Sequence, residues 1–141
     1  MECVVKWIDN MSFVAETGSG HMLAMDGAPE AGGRNLAARP MELLLAGTGG
    51  CTAFDVMLIL KKSRQHVDGC EVSLNAERAS EDPKVFTRIG FHFRISGRAL
   101  KREVVERAIH LSAEKYCSAS IMLGKTAVME HTWEIIETGA R

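Results

Sequence analysis

Apolar and polar positions along this chain repeat in two ways, and the change from one to the other marks out its elements. Cys3-Val4-Val5-Lys6-Trp7-Ile8 and Ser12-Phe13-Val14-Ala15-Glu16 are short β-like runs, with Asp9-Asn10 as the turn between them. Gly18-Ser19-Gly20 marks a second turn. His21–Met25 predicts a third strand, which Asp26-Gly27 stops. From there to Ala38 the composition shifts to Gly, Pro, Ala, Glu and Arg, predicting a mobile loop of about a dozen residues, a length that is often functional.

The pattern then changes. Pro40 suits the first position of a helix, and Glu42 in the first turn suits its dipole. Leu43 to Phe54 carries no charge and is apolar on every side except for Thr48, Thr52 and three glycines. A helix apolar all round is a membrane span or the centre of a domain. Glu42, Asp55 and Lys61-Lys62 leave an uncharged run shorter than the roughly 18–20 residues a bilayer needs, so the segment predicts a central buried helix running to about His66. Its three glycines, each costing about 1 kcal/mol relative to Ala, call for a helix packed closely against them or a substrate reaching the backbone beside Cys51.

Strict alternation follows Asp68-Gly69. Cys70, Val72, Leu74, Ala76 and Arg78 share one face, and Ile89, Phe91, Phe93 and Ile95 share a face of the next strand, across a polar turn at Glu81–Lys84. Leu100, Val104, Ala108 and Leu111 have helical spacing, with Glu103–Arg107 as an i,i+4 pair, predicting a helix over about Leu100–Tyr116. Cys117 lies off that stripe, at a break. A short turn at Ile121–Leu123 stops at Gly124, and Val128–Glu137 predicts a last strand with Met129, His131, Trp133 and Ile135 on one face. The order βββ-α-ββ-α-β is that of an α+β fold, and 141 residues fit a single domain, 1–141.

Charged residues are 25% of the chain and the net charge is -1, which gives no basic footprint for nucleic acid. No signal peptide precedes the first strand, and four cysteines without secretory context do not form a disulfide framework. A cytoplasmic protein with no membrane segment is expected. In such a reducing compartment a disulfide is catalytic or redox-active more often than structural.

Metal-binding spacings are missing: there is no C-x-x-C, no H-E-x-x-H and no close His pair, and His131 reads as a satisfied strand residue. Gly47-Thr48-Gly49-Gly50 lacks the Lys of a phosphate loop, and no cofactor is expected. Cys51 reads either as a small buried hydrophobe or as a reactive thiol. Cys117 falls near a helix N-terminus if Ser118 or Ser120 caps the segment after it, a place that lowers a thiol pKa. Cys3 and Cys70 read as packing residues, and Arg34 and Arg39 as solvated loop residues. Glu42 has a structural explanation in the helix dipole alone. Arg78 extends an inward-facing row, where a guanidinium needs a partner, unless the strand has already ended and the side chain snorkels outward.

The segment Arg39-Pro40-Met41-Glu42-Leu43-Leu44-Leu45-Ala46-Gly47-Thr48-Gly49-Gly50-Cys51-Thr52, with Glu114-Lys115-Tyr116-Cys117-Ser118 downstream, resembles the OsmC/Ohr family, in its OsmC-like branch, and the element order agrees over essentially the whole chain. The resemblance implies an intertwined homodimer with sites at the subunit interface. It implies a thiol peroxidase that reduces organic hydroperoxides with a dithiol reductant, Cys51 attacking and Cys117 resolving. The family's catalytic Glu follows the Pro directly, whereas Met41 holds that place here and Glu42 comes next. The family's hairpin Arg has no counterpart before Arg34. Glu42, paired with Arg78 and acting on the partner subunit's cysteine, is the expected support. The alternative is a non-peroxidase dimer that binds a small hydrophobic ligand in its interface pocket.

Overall fold

The computed structural model describes residues 1–139, in two compact units that meet between Ala46 and Gly47. In the first, β1 (Cys3–Asp9), β2 (Ser12–Thr17) and β3 (Met22–Met25) form an antiparallel sheet in that order. Asn10, at φ 46, makes the first turn, and the Trp7 indole N–H donates to its carbonyl at 2.8 Å. Ala15 is buried, while every residue of β1 is exposed, Val4, Val5, Trp7 and Ile8 included. Cys3 is therefore not a packing residue within this chain.

The loop after β3 is more ordered than its composition suggests. Asp26 is 1% exposed, and its carboxylate accepts from the backbone N–H groups of Gly27 (2.7 Å) and Leu36 (3.2 Å), tying both ends of the loop together. A bridge between Met25 and Ala38 and a short turn at Pro29–Ala31 complete it. Arg34 is not simply solvated: it pairs with Asp9 at 2.6 Å.

Helix α1 (Pro40–Lys62) starts in the first unit and continues into the second. Its start is capped by Glu42, which accepts the Arg39 backbone N–H at 2.9 Å, half of a capping box. It ends at Lys62 and not near His66. Arg64 takes a left-handed conformation (φ 57), with Arg64 N–H bonded to Lys61 and Gln65 N–H to Leu60, the two bonds of a Schellman stop. Glycine usually marks such a stop, and here an arginine fills it.

Nor is the helix buried all round within one chain. Thr48, Gly49, Thr52, Val56 and Leu60 form a buried stripe, whereas Leu44, Phe54 and Leu58 are exposed. A methyl group added at Gly49 would lie 2.6 Å from Leu74 Cδ1, so that glycine admits a strand side chain and not another helix. At Gly47 and Gly50 it would meet nothing within 4 Å.

The second unit is built on β4 (His66–Arg78), β5 (Phe86–Arg98) and β6 (Val128–Glu137), in that order, with β4–β5 antiparallel and β5–β6 parallel. Register aligns Leu74, Phe91 and His131 across the sheet, then Val72, Phe93 and Trp133, then Cys70, Ile95 and Ile135. Phe91, Phe93, Ile89 and Ile95 are fully buried. The parallel pair requires a crossover, supplied by α2 (Arg102–Leu111), a π turn (Ser112–Tyr116) and α3 (Ser118–Leu123). The buried stripe of α2 is Val105, Ala108, Ile109 and then Ser112, one position on from the predicted one. Its ion pair is accordingly Arg102–Glu106 (2.8 Å), not Glu103–Arg107.

Candidate active site

Cys51 sits on the half-buried flank of α1, one residue before the buried Thr52 and one turn before Asp55. Cys117 arrives from the other side of the crossover. The α2 helix does not run straight into it: the π turn makes Cys117 N–H bond Ser112 O, five residues back, at 2.9 Å, and Cys117 leaves the helix at φ -77, ψ 98. The sequence placed Cys117 at a break with a serine as the following cap; the cap is Cys117 itself, whose Sγ accepts the Ser120 N–H at 3.4 Å.

These elements bring Cys51 Sγ, Cys117 Sγ and an Asp55 carboxylate oxygen within 4.8 Å of one another. Cys117 is fully buried and Cys51 only partly so, and both thiols are free. Thr52 Oγ1 lies 3.2 Å from Cys117 Sγ and 3.2 Å from Ser120 Oγ. Ser112 Oγ donates to Asp55 Oδ2 at 3.2 Å. Asp55 also lines a cavity of about 420 Å³ with Leu58, Ile59, Lys62, Leu111 and Tyr116, an open side next to the cluster.

The two sulfurs are not equivalent. Burial works against ionising Cys117, but hydrogen bonds from the Ser120 and Thr52 hydroxyls, the Ser120 N–H and the Cys51 thiol outweigh it and hold its pKa below that of an ordinary cysteine. For Cys51 the strongest influence, the Ala119 N–H, favours the thiolate. Partial burial and the neighbouring Cys117 and Asp55 charges together exceed it and push the thiol up. The pair therefore shares its first negative charge in favour of the buried Cys117, with the Cys51 S–H directed at it.

Glu42 and Arg78 stand apart from this cluster. Glu42 is engaged in capping its own helix. The inward direction expected of Arg78 does not hold. The β4–β5 ladder slips between Glu77 and Arg78, which turns Arg78 out of the inward row; it is exposed, and its Nε donates to the Lys84 carbonyl at 2.9 Å. Thr52, Asp55, Ser112, Ala119 N–H and Ser120 were not singled out from the sequence; the only signal available was the i,i+4 spacing of Cys51 and Asp55.

Residues 32–132 match the family model described as OsmC-like protein. This chain belongs to the OsmC-like family. Protein YhfA of Escherichia coli K12 is 46% identical to it over 136 residues, 96% of this chain and 98% of that one. Among solved OsmC-like and related folds, a hypothetical protein from Aquifex aeolicus VF5 superposes with a TM-score of 0.86 at 28% identity, covering 98% of this chain and 97% of the other. An organic hydroperoxide resistance protein from Legionella pneumophila shares the fold (TM-score 0.69, 16% identity, 95% and 97% covered). OsmC-like membership thus agrees with the α+β architecture and with the order of its elements.

Proposed function

We propose that the chain is a cysteine-based peroxidase that reduces organic hydroperoxides, with Cys51 attacking and Cys117 resolving. The observation that carries this reading is the juxtaposition of two free sulfurs, one reachable and one buried, within 4.8 Å. The printed function of the Legionella pneumophila relative points the same way.

In this mechanism the Cys117 thiolate takes the Cys51 proton as substrate arrives. The Cys51 thiolate attacks the terminal peroxide oxygen and the O–O bond breaks. The alkoxide leaves and is protonated to the alcohol, and Cys51 becomes a sulfenic acid. The Cys117 sulfur then attacks the Cys51 sulfur, the S–O bond breaks and water departs with the Cys117 proton, giving a disulfide. A dithiol reductant restores both thiols by exchange. Glu42 supports the start of α1 in this scheme, and Arg78 is assigned no step. A reducing, cytoplasmic setting suits the four thiols.

The working form is a homodimer. Exposed Val4, Val5, Trp7 and Ile8 on β1, with Leu44, Phe54 and Leu58 on α1, form the apolar surface that supports this. Sedimentation should give twice the 15.4 kDa chain mass, and a single-chain mass at micromolar concentration rejects it.

The decisive experiment counts thiols before and after one equivalent of cumene hydroperoxide. The wild type should lose two of its four thiols, and Cys51→Ser none. Retention of all four by the wild type overturns the peroxidase reading. An apolar cavity of about 480 Å³ lined by Gly50, Ala53, Phe54, Met57, Leu58 and Cys70 favours the second reading, a dimer that binds a hydrophobic ligand. A lipid-like molecule co-purifying with unresponsive thiols would establish it.

A further inference from the structure

The Cys51, Asp55 and Cys117 cluster has the donor set of a soft divalent cation site, although no short-range sequence spacing announces one. We infer that in the reduced protein these three side chains bind one Zn²⁺, so that the metal and oxidation compete for the same two sulfurs. Two thiolates and a carboxylate are ligands zinc takes readily, and three protein ligands with one open position is a known zinc arrangement. The three donor atoms already lie within 4.8 Å of one another, and tetrahedral zinc bonds of about 2.0–2.3 Å need them roughly 3.5–3.8 Å apart. Side-chain rotation covers the difference. Outer contacts of the kind that orient ligands are also in place: Ser112 Oγ donates to Asp55 Oδ2, and Thr52 Oγ1 and Ser120 N–H reach Cys117 Sγ. The cavity beside Asp55 is an entry path.

Binding exchanges zinc-bound water for two thiolates and a carboxylate, and releases the remaining thiol protons to solvent. A hydroperoxide reverses it. The two sulfurs lose two electrons and form a disulfide, the peroxide gains them with two protons to give an alcohol and water, and Zn²⁺ leaves. The site does not depend on turnover with peroxide, so its test is separate from the thiol count above.

Reduced protein kept free of oxygen should take up one Co²⁺ per chain, with the visible bands of tetrahedral cobalt and thiolate-to-metal charge transfer, and one equivalent of Zn²⁺ should erase them. Asp55→Asn should weaken binding about tenfold or more. Cys51→Ser should abolish the bands, and Cys3→Ser and Cys70→Ser should leave them unchanged. In the wild type, which needs no variant to fold, Zn²⁺ should slow iodoacetamide modification of Cys51 at least about tenfold and that of Cys3 not at all. Absence of tetrahedral Co²⁺ at stoichiometric metal, its persistence in Cys51→Ser, unchanged affinity in Asp55→Asn, or an unprotected Cys51 each overturns the inference.

Discussion

Replacing Thr52 by Val tests the uneven sharing of charge between the two cysteines. Thr52 is fully buried, and its hydroxyl lies 3.2 Å from Cys117 Sγ and 3.2 Å from Ser120 Oγ. Valine keeps the branched shape and removes only the donor. A hydrogen bond to a charged acceptor contributes about 1.5 kcal/mol at the lower end of its range, and one pKa unit corresponds to about 1.4 kcal/mol. The lower of the two thiol titrations should therefore rise by about one unit. Since this thiolate is the base that takes the Cys51 proton, reaction with hydroperoxide near neutral pH should slow by up to tenfold and recover as the pH is raised. The assay is thiolate absorbance against pH in a background where Cys3 and Cys70 are Ser, which isolates the coupled pair. The same titration with Cys51 also changed to Ser follows Cys117 alone. A folded Thr52→Val protein whose lower titration does not move would refute the account of Cys117 as the hydrogen-bonded thiolate.

Two further outcomes follow from buried titratable groups. His131 Nε2 is buried without a partner, its ring is stacked 4.6 Å from Phe91, and burial, followed by the nearby His110, lowers its pKa below 6.5. The unfolded chain then binds a proton first, so stability is level above about pH 6.5 and falls as the pH drops through the lower folded value. His131→Phe should remove that slope and add about 1 kcal/mol at neutral pH by eliminating an unsatisfied buried nitrogen, measured as urea midpoints at pH 7.5 and 5.5; an unchanged slope contradicts it. For Asp26, burial acts upward on the pKa, but the Gly27, Leu36 and Arg34 backbone hydrogen bonds lower it overall from 3.8. The Asp26→Asn protein should exchange its Gly27 and Leu36 amide hydrogens faster than wild type at neutral pH. The gap should close as the pH falls from 3.8 through the lower folded value, and equal rates at neutral pH would count against the carboxylate as the tie of this loop.

Strand phase and element order were legible because they depend on local alternation. Ile89, Phe91, Phe93 and Ile95 are buried together, and β6 has the bounds its pattern implied. Chain reversals that use unusual residues were not. Arg64 stops α1 in a conformation that glycine normally marks, and the ladder slip at Glu77–Arg78 turns a side chain without changing the apolar pattern before it. Both cysteines of the site stood out from their surroundings in sequence. Their companions did not, because Thr52, Ser112 and Ser120 act by facing one another across 60 or more residues, and each taken singly reads as an ordinary small polar residue.

The π turn before Cys117 also has a meaning at the level of the gene. It holds one more residue than an α-helical path would, seen in the Cys117-to-Ser112 bond that spans five positions where four is the rule. Losing a single codon between Ala113 and Tyr116 would let the helix close its regular bonds and swing everything after it by about 100°. Cys117 would then point away from Cys51 with both cysteine codons intact. In-frame deletion, rather than substitution, is thus the shortest mutational path by which a descendant of this chain could keep its fold and lose its sulfur pair.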